Sequence, residues 1–135
     1  MDSATTELAR RLAAHPKWRW RGGMAPLHVD GLAYRNGTWI PDSIAAGQLD
    51  GNPYHFPDLE DPATWGCLLA MLWEVLRDER HVDLDLSGDD RGARVMTMRC
   101  DYLDEQGEDR HYHDAPTPGA AIAAALLEAW GSPDA

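Results

Sequence analysis

Residues 61–77 read DPATWGCLLAMLWEVLR, and this stretch has the pattern of a long apolar helix. Asp61 is a favourable N-cap, and Pro62 suits the first helical position, where its missing N–H needs no partner. No charged residue occurs between Trp65 and Trp73. A helix that is apolar nearly all round has to be covered on several sides. We therefore expect the rest of the chain to pack around this central helix.

Two apolar stripes follow the helical period along this segment. One stripe contains Trp65, Leu69, Leu72 and Leu76, and the neighbouring one contains Leu68, Met71 and Val75. Gly66 in the first turn is a poor helix former, so it indicates a close backbone contact at that point. The segment predicts how the chain folds and says little about chemistry.

The composition is that of an ordinary globular chain. Its 135 residues, 44% hydrophobic and 26% charged, fit one domain with its own core. Two cysteines, Cys67 and Cys100, do not form a disulfide framework, and we expect both to be small buried hydrophobes. There is neither a signal-like apolar region nor an apolar stretch of about 18 residues. We expect a cytoplasmic protein with no membrane contact.

The net charge of −11 is unevenly distributed. Residues 1–40 carry six cations against three acids, whereas residues 78–114 carry twelve acids against five arginines. A negative surface repels nucleic acid and anionic membranes, and it attracts a basic protein. Interleaved cations and indoles at residues 17–21 (KWRWR) would suit base stacking, but the net charge argues against direct nucleic-acid binding. The charge alternatively serves solubility alone.

The N-terminal half predicts a helix over residues 4–14 capped by Ser3, then an extended strand at residues 17–21 with both tryptophans inward. Residues 27–40 are typical of a β-hairpin with a type I′ turn at Asn36-Gly37. Residues 41–61 contain several prolines and glycines, which predict a long irregular connection with a short helical turn at residues 43–48.

The C-terminal half predicts three short strands at residues 81–86, 93–102 and 109–114, which form an antiparallel meander. Thr117, Pro118 and Gly131 then bound an alanine-rich terminal helix. The predicted fold is a single α+β domain: an antiparallel β-meander with a buried central helix, an N-terminal helix and a C-terminal helix.

The motif Asp-Pro-Ala-Thr-x-Gly-Cys-Leu-Leu at residues 61–69 resembles the central helix start of a group of small phage and prophage proteins. The opening Trp18-Arg19-Trp20, followed by Gly23-Met24, is similar to theirs as well. The resemblance implies a viral or mobile-element source. The group supplies no activity, cofactor or catalytic residue, but small acidic phage proteins often act by binding a host protein.

Acidic side chains form the first candidate site. They project from one strand and from the turns at the ends of the meander: Asp83, Asp85, Asp89, Asp90, Asp104 and Glu105. Such a surface could imitate a phosphate array and dock on a basic host or viral protein. The alternative is that cross-strand Asp–Arg pairs neutralise much of this face.

Two histidines form the second candidate site. His111 and His113 lie on one face of a strand, about 7 Å apart. With Asp109 or Asp114 nearby, and His81 on an adjacent strand, they could hold a metal. The alternative is a polar strand face, and none of the usual zinc-binding sequence signatures is present.

No catalytic signature emerges from the sequence, so we expect a non-enzymatic protein without cofactors. The leading hypothesis is a small acidic phage-type protein that binds another protein and inhibits a host nucleic-acid-handling or defence complex. One alternative is a small metal-dependent hydrolase or nuclease using His111, His113 and nearby carboxylates. Another is a self-assembling, homo-oligomeric structural phage protein, suggested by six tryptophans.

Overall fold

The computed structural model describes residues 2–30, 39–77, 80–86, 92–99 and 110–131. Its elements in chain order are α1 (Ser3–Ala14), β1 (Pro26–His28), α2 (Ser43–Leu49), β2 (His55–Pro57), α3 (Pro62–Leu76), β3 (Arg80–Leu86), β4 (Ala93–Arg99), β5 (Arg110–Ala115) and α4 (Pro118–Trp130). The mixed α+β class and both terminal helices are confirmed.

The helix caps explain why three of these helices begin where they do. Asp61 accepts hydrogen bonds from the N–H groups of Ala63 and Thr64, and Pro62 occupies the first turn of α3, as predicted. The side chain of Thr117 caps α4 in the same way. In α1 the cap is Asp2 rather than Ser3, since the Asp2 carboxylate accepts the Thr5 N–H at 2.7 Å.

Helix α4 lies at the centre of the fold. It packs against α3, α1, β4 and β5. Its buried residues follow one another almost without a break, from Gly119 to Ala123 and then Ala125, Leu126 and Trp130. A Cβ at Gly119 would lie 1.9 Å from the Leu59 carbonyl oxygen, so only glycine permits this approach. The terminal helix therefore takes the central place that the sequence predicted for α3.

Helix α3 is covered on one side only. Thr64, Leu68, Met71, Leu72 and Leu76 are buried, whereas Trp73 is 57% exposed. The predicted stripes are therefore displaced around the helix: Trp65 and Leu69 are half-buried and Val75 is exposed. Among the described residues, nothing lies within 4 Å of a Cβ built on Gly66, so the close contact predicted there is not found in this part of the chain.

The segment after α1, predicted to be an extended strand, is not a strand. Trp18 and Trp20 are both buried and meet edge to face at 5.3 Å, which confirms the inward orientation predicted for the two indoles. The N–H of Trp20 donates to the Asp50 carboxylate at 2.9 Å instead of joining a sheet. A side-chain acceptor thus replaces the expected strand pairing.

Strand β1 pairs with β2, with Leu27 opposite Phe56. The predicted hairpin would have paired Tyr34-Arg35 with Thr38-Trp39, and its turn at Asn36-Gly37 lies outside the described residues. The connection at residues 41–61 contains α2, near the predicted helical turn, and also β2, which the sequence did not predict. Two backbone hydrogen bonds extend the β1–β2 pairing at its ends. The Val29 N–H donates to the Tyr54 carbonyl oxygen, and the Asp58 N–H donates to the Ala25 carbonyl oxygen.

Strands β3, β4 and β5 form an antiparallel sheet in that order, as the predicted meander requires. The described part of β4 ends at Arg99, and Cys100 and Tyr102 lie beyond it, outside the described residues. Among the described helices, none has both the length and the hydrophobicity to cross a membrane.

Candidate functional site

The register of the three-stranded sheet divides its side chains between two faces. Val82 lies opposite Thr97 and Leu84 opposite Val95, and on the other side Thr97 and Val95 lie opposite His111 and His113. These residues share the inner face, which packs on α4 along β4 and β5 and on α3 along β3. The outer face carries the alternate positions: His81, Asp83, Asp85, Arg94, Met96, Arg110, Tyr112 and Asp114.

The outer face is open to solvent. Asp83 and Asp85 are both exposed, and Tyr112 is 50% exposed. Arg94 lies directly opposite Asp85 in the β3–β4 register. Its guanidinium nevertheless turns the other way, because Nε donates to Asp114 Oδ1 at 2.6 Å and Nη2 to Oδ2 at 3.2 Å.

The Arg94–Asp114 pair is bidentate and lies beside an aromatic ring. The guanidinium carbon of Arg94 is 5.0 Å from the Tyr112 ring centroid, a cation–π distance. The hydrogen bond from Arg94 lowers the pKa of Asp114. The same hydrogen bond, the charge of Asp114 and, more weakly, that of Asp85 raise the pKa of Arg94.

Cross-strand Asp–Arg pairs, the alternative raised from the sequence, therefore neutralise only part of the outer face. Asp114 is compensated by Arg94. Asp83 and Asp85 have no ion pair with any described side chain. Of the six acidic residues predicted to bind a partner, these two are described; Asp89, Asp90, Asp104 and Glu105 lie outside the described residues.

The two candidate metal ligands lie on the inner face, beside α4. His113 Nε2 is 2.5 Å from Glu128 Oε2, and His111 Nδ1 is 3.5 Å from Glu128 Oε1. The glutamate of α4 thus lies between the two imidazoles. Sequence reasoning did not identify it, because α4 and β5 meet only in the folded chain.

The other residues grouped with these histidines are elsewhere. Asp114 and His81 belong to the outer face, and β3 is separated from β5 by β4. Asp109 lies outside the described residues. Within the described ranges, no group of three or more histidine, cysteine, aspartate or glutamate side chains is arranged to hold a metal ion. Asp114 and His81 therefore do not join His111 and His113, since alternate strand residues point to opposite faces.

Cys67 is half-buried rather than fully buried on α3. Its Sγ lies 3.7 Å from the Gly22 carbonyl oxygen, and burial raises the pKa of the thiol. A raised pKa keeps the thiol protonated at neutral pH, which is unfavourable for a nucleophile. Nearby Arg21 is paired with Glu74. Cys100 lies outside the described residues.

A cluster of aromatic and ionisable side chains surrounds the β1–β2 pair. The rings of His28 and His55 meet edge to face at 5.2 Å, and Tyr54 stacks on His28 at 6.2 Å. His28 Nδ1 is 3.0 Å from Asp30 Oδ1. Burial lowers the pKa of His55, and the neighbouring His28 lowers it further. The strand pairing, which the sequence did not predict, brings these residues together.

Two tryptophans are unusually exposed. Trp39 is 53% exposed, and its indole N–H is 3.1 Å from both Asp61 carboxylate oxygens. Trp73, on the solvent-exposed side of α3, is the second exposed tryptophan. The uniform hydrophobicity of residues 65–73 could not indicate which side of the helix would remain open.

Comparison of the chain with protein-family models, with curated proteins and with solved structures finds no match.

Proposed function

We propose that this chain is a small, acidic, non-catalytic protein of phage type that binds a basic host or viral protein through the outer face of its three-stranded sheet. One observation supports the proposal most directly. Asp83 and Asp85 are exposed on an open sheet face, and no described cation is paired with either carboxylate.

The direction of Arg94 is what makes this observation informative. Charged residues on an open sheet face usually pair across strands, and such pairs weaken the attraction for an outside charge. Arg94 is placed to pair with Asp85 and instead engages Asp114 with two hydrogen bonds. Strand β3 consequently forms the acidic edge of the sheet, whereas on β5 the negative charge of Asp114 is neutralised by Arg94.

The chemistry of the partner follows from the sign of this charge. A net charge of −11 attracts basic proteins and accelerates their association at low ionic strength. Basic grooves that bind phosphate backbones are natural partners of two adjacent carboxylates on a strand. Inhibition of a nucleic-acid-handling or defence complex in the host cytoplasm is therefore the role that we propose.

Affinity capture from host lysate at two salt concentrations tests this function. At about 50 mM salt the immobilised protein should retain basic proteins, and at about 500 mM it should release them, because the Debye length falls several-fold over this range. Asp85→Asn should reduce the captured amount at low salt. Glu7→Gln removes one negative charge from an exposed position on α1 and is the matched control.

The comparison of the two variants separates a docking surface from general charge. Equal losses for Asp85→Asn and Glu7→Gln would show that only the net charge matters, as the solubility interpretation requires. Capture that survives high salt and both substitutions would contradict the proposal.

Self-association is a second candidate function, favoured by the exposed indole of Trp73 on α3. An exposed tryptophan beside the half-buried Leu69 and the uncovered Gly66 forms an apolar face that a second copy could cover. Light scattering of the wild type and of Trp73→Gln tests it. A dimer that becomes monomeric in the variant supports self-association, and a monomeric wild type at high concentration contradicts it.

A further inference from the structure

A cleft lies between the end of α1, the segment that follows it, and the loop leading into β2. Its volume is about 540 Å³, within the range of pockets that hold small organic molecules. The walls include Arg10 from α1, Trp18 and Arg19 from the following segment, and Asn52, Pro53 and Phe56 from the opposite side.

The cleft carries positive charge, whereas the molecule as a whole is negatively charged. Arg10 and Arg19 line it, and the described residues of its walls include no aspartate or glutamate, although the chain carries a net charge of −11. Burial lowers the pKa of His55, another wall residue, so its imidazole is neutral at pH 7 and the positive charge comes from the arginines.

Both guanidiniums are held by neutral groups. Arg10 donates weakly to the Val29 carbonyl oxygen at 3.4 Å and lies 5.6 Å from the Phe56 ring centroid. Arg19 donates to the carbonyl oxygens of Pro16 and Trp18. In the described ranges, neither arginine forms an ion pair with a carboxylate. The charge of each guanidinium is therefore not compensated there, and some of its five N–H donors remain available to an anion.

The third wall feature is an indole without a hydrogen-bond partner. Trp18 is only 4% exposed, and its Nε1 has no acceptor among the described residues. A buried donor without an acceptor is destabilising by about 1–3 kcal/mol unless something supplies one. Trp18, Phe56 and Pro53 also give the cleft apolar surfaces suited to a flat ring.

We propose that this cleft binds a small organic anion carrying a planar aromatic ring. The anionic group lies between Arg10 and Arg19, and the ring lies against the aromatic and proline wall. The interleaved cations and indoles of residues 17–21 then have a function different from base stacking on a nucleic acid: one indole and one cation form the wall of a small-molecule site.

Nuclear magnetic resonance of the 15N-labelled full chain tests the site. The indole N–H signal of Trp18 is assigned from its loss in Trp18→Phe. Two anionic probes are titrated, indole-3-acetate for a carboxylate and adenosine 5′-monophosphate for a phosphate, alongside the neutral indole-3-acetamide and adenosine. We expect at least one anion to shift the Trp18 signal saturably and its neutral counterpart to bind roughly tenfold more weakly, since charge-assisted hydrogen bonds have this strength.

Substitutions at the exposed arginines complete the test. Arg10→Gln and Arg19→Gln should each weaken binding by about tenfold. Arg11→Gln makes the same charge change one residue along α1, where the side chain does not line the cleft, and should leave the affinity unchanged. The proposal is overturned if neither anion shifts the Trp18 signal at about 10 mM, a ceiling for meaningful affinity. It is also overturned if neutral and anionic probes bind equally, or if Arg11→Gln weakens binding as much as Arg10→Gln.

Discussion

The inner and outer faces of the β3–β4–β5 sheet are built from alternate residues of the same strands, and they have opposite surroundings. On β4, Ala93, Val95 and Thr97 are buried, whereas Arg94 between them is exposed. Helix α4 covers the inner face at β4 and β5, and α3 contacts β3. The outer face carries the acidic edge at β3 and the Arg94–Asp114 pair.

This difference shows that stability and recognition depend on separate residues of one element. The inner positions hold the sheet to α4, and exchanging them changes the free energy of unfolding. The outer positions contribute little to folding, so their charges are available for a partner. The predictions below test this separation, from the largest expected effect to the smallest.

Of the substitutions compared here, Gly92→Ala should destabilise the fold most. Gly92 precedes β4 with φ +82°, and an added Cβ would lie 2.3 Å from the Ala115 carbonyl oxygen at the end of β5. Left-handed backbone alone is unfavourable by about 1–2 kcal/mol for a residue with a Cβ, and the contact with backbone adds to it. We expect urea unfolding to show a loss of more than about 2 kcal/mol.

Gly51→Ala is the matched control. Gly51 has φ +80°, and no described residue lies within 4 Å of an added Cβ, so only the unfavourable left-handed backbone conformation applies. Equal losses in the two variants would show that a Cβ at Gly92 does not clash with the Ala115 carbonyl oxygen, which would contradict the close contact between the start of β4 and the end of β5.

Val95→Ala and Met96→Ala compare the two faces directly. Val95 is fully buried on the inner face, and removing two carbons should lower the free energy of unfolding by about 2 kcal/mol. Met96 is only half-buried on the outer face, so its truncation should have a smaller effect, under about 1 kcal/mol. Chemical denaturation of both variants measures the difference. A larger loss for Met96→Ala would mean that the outer face is covered.

The pH dependence of the Arg94–Asp114 pair should be the smallest effect. Arg94 lowers the folded-state pKa of Asp114 below its ordinary value of 3.8. The stabilisation is therefore present above the unfolded value and is lost as the pH falls through the folded one. Because the pair is exposed, solvent screening keeps the contribution small. Denaturation midpoints below pH 5 should fall less steeply in Asp114→Asn, and an unchanged slope would argue against the pair.

Local signals in the sequence predicted much of this fold. Asp61-Pro62 and Thr117-Pro118 begin helices because caps act over three residues, and the alternation at residues 81–86 predicted a strand because its period is two. The pairing of β1 with β2 was missed because it joins residues almost thirty positions apart. The open side of α3 was missed because an apolar pattern does not specify how many neighbours a helix has.

The candidate site was predicted in part. Asp83 and Asp85 could be placed on one face from alternation alone. Arg94 lies opposite both Asp85 and Asp114. Which of the two it pairs with depends on side-chain geometry, which the spacing of residues in the sequence does not determine. Glu128 beside His113, and the cleft at Trp18, each require elements from distant parts of the chain, so sequence patterns could not identify them.

The double variant Asp83→Asn/Asp85→Asn tests the central claim most directly. Its capture of basic proteins at low salt is measured together with its free energy of unfolding. We predict that capture is lost while stability changes by no more than about 0.5 kcal/mol, as is usual for exposed positions. Undiminished capture by a variant that folds normally would contradict the assignment of the outer face as the binding surface.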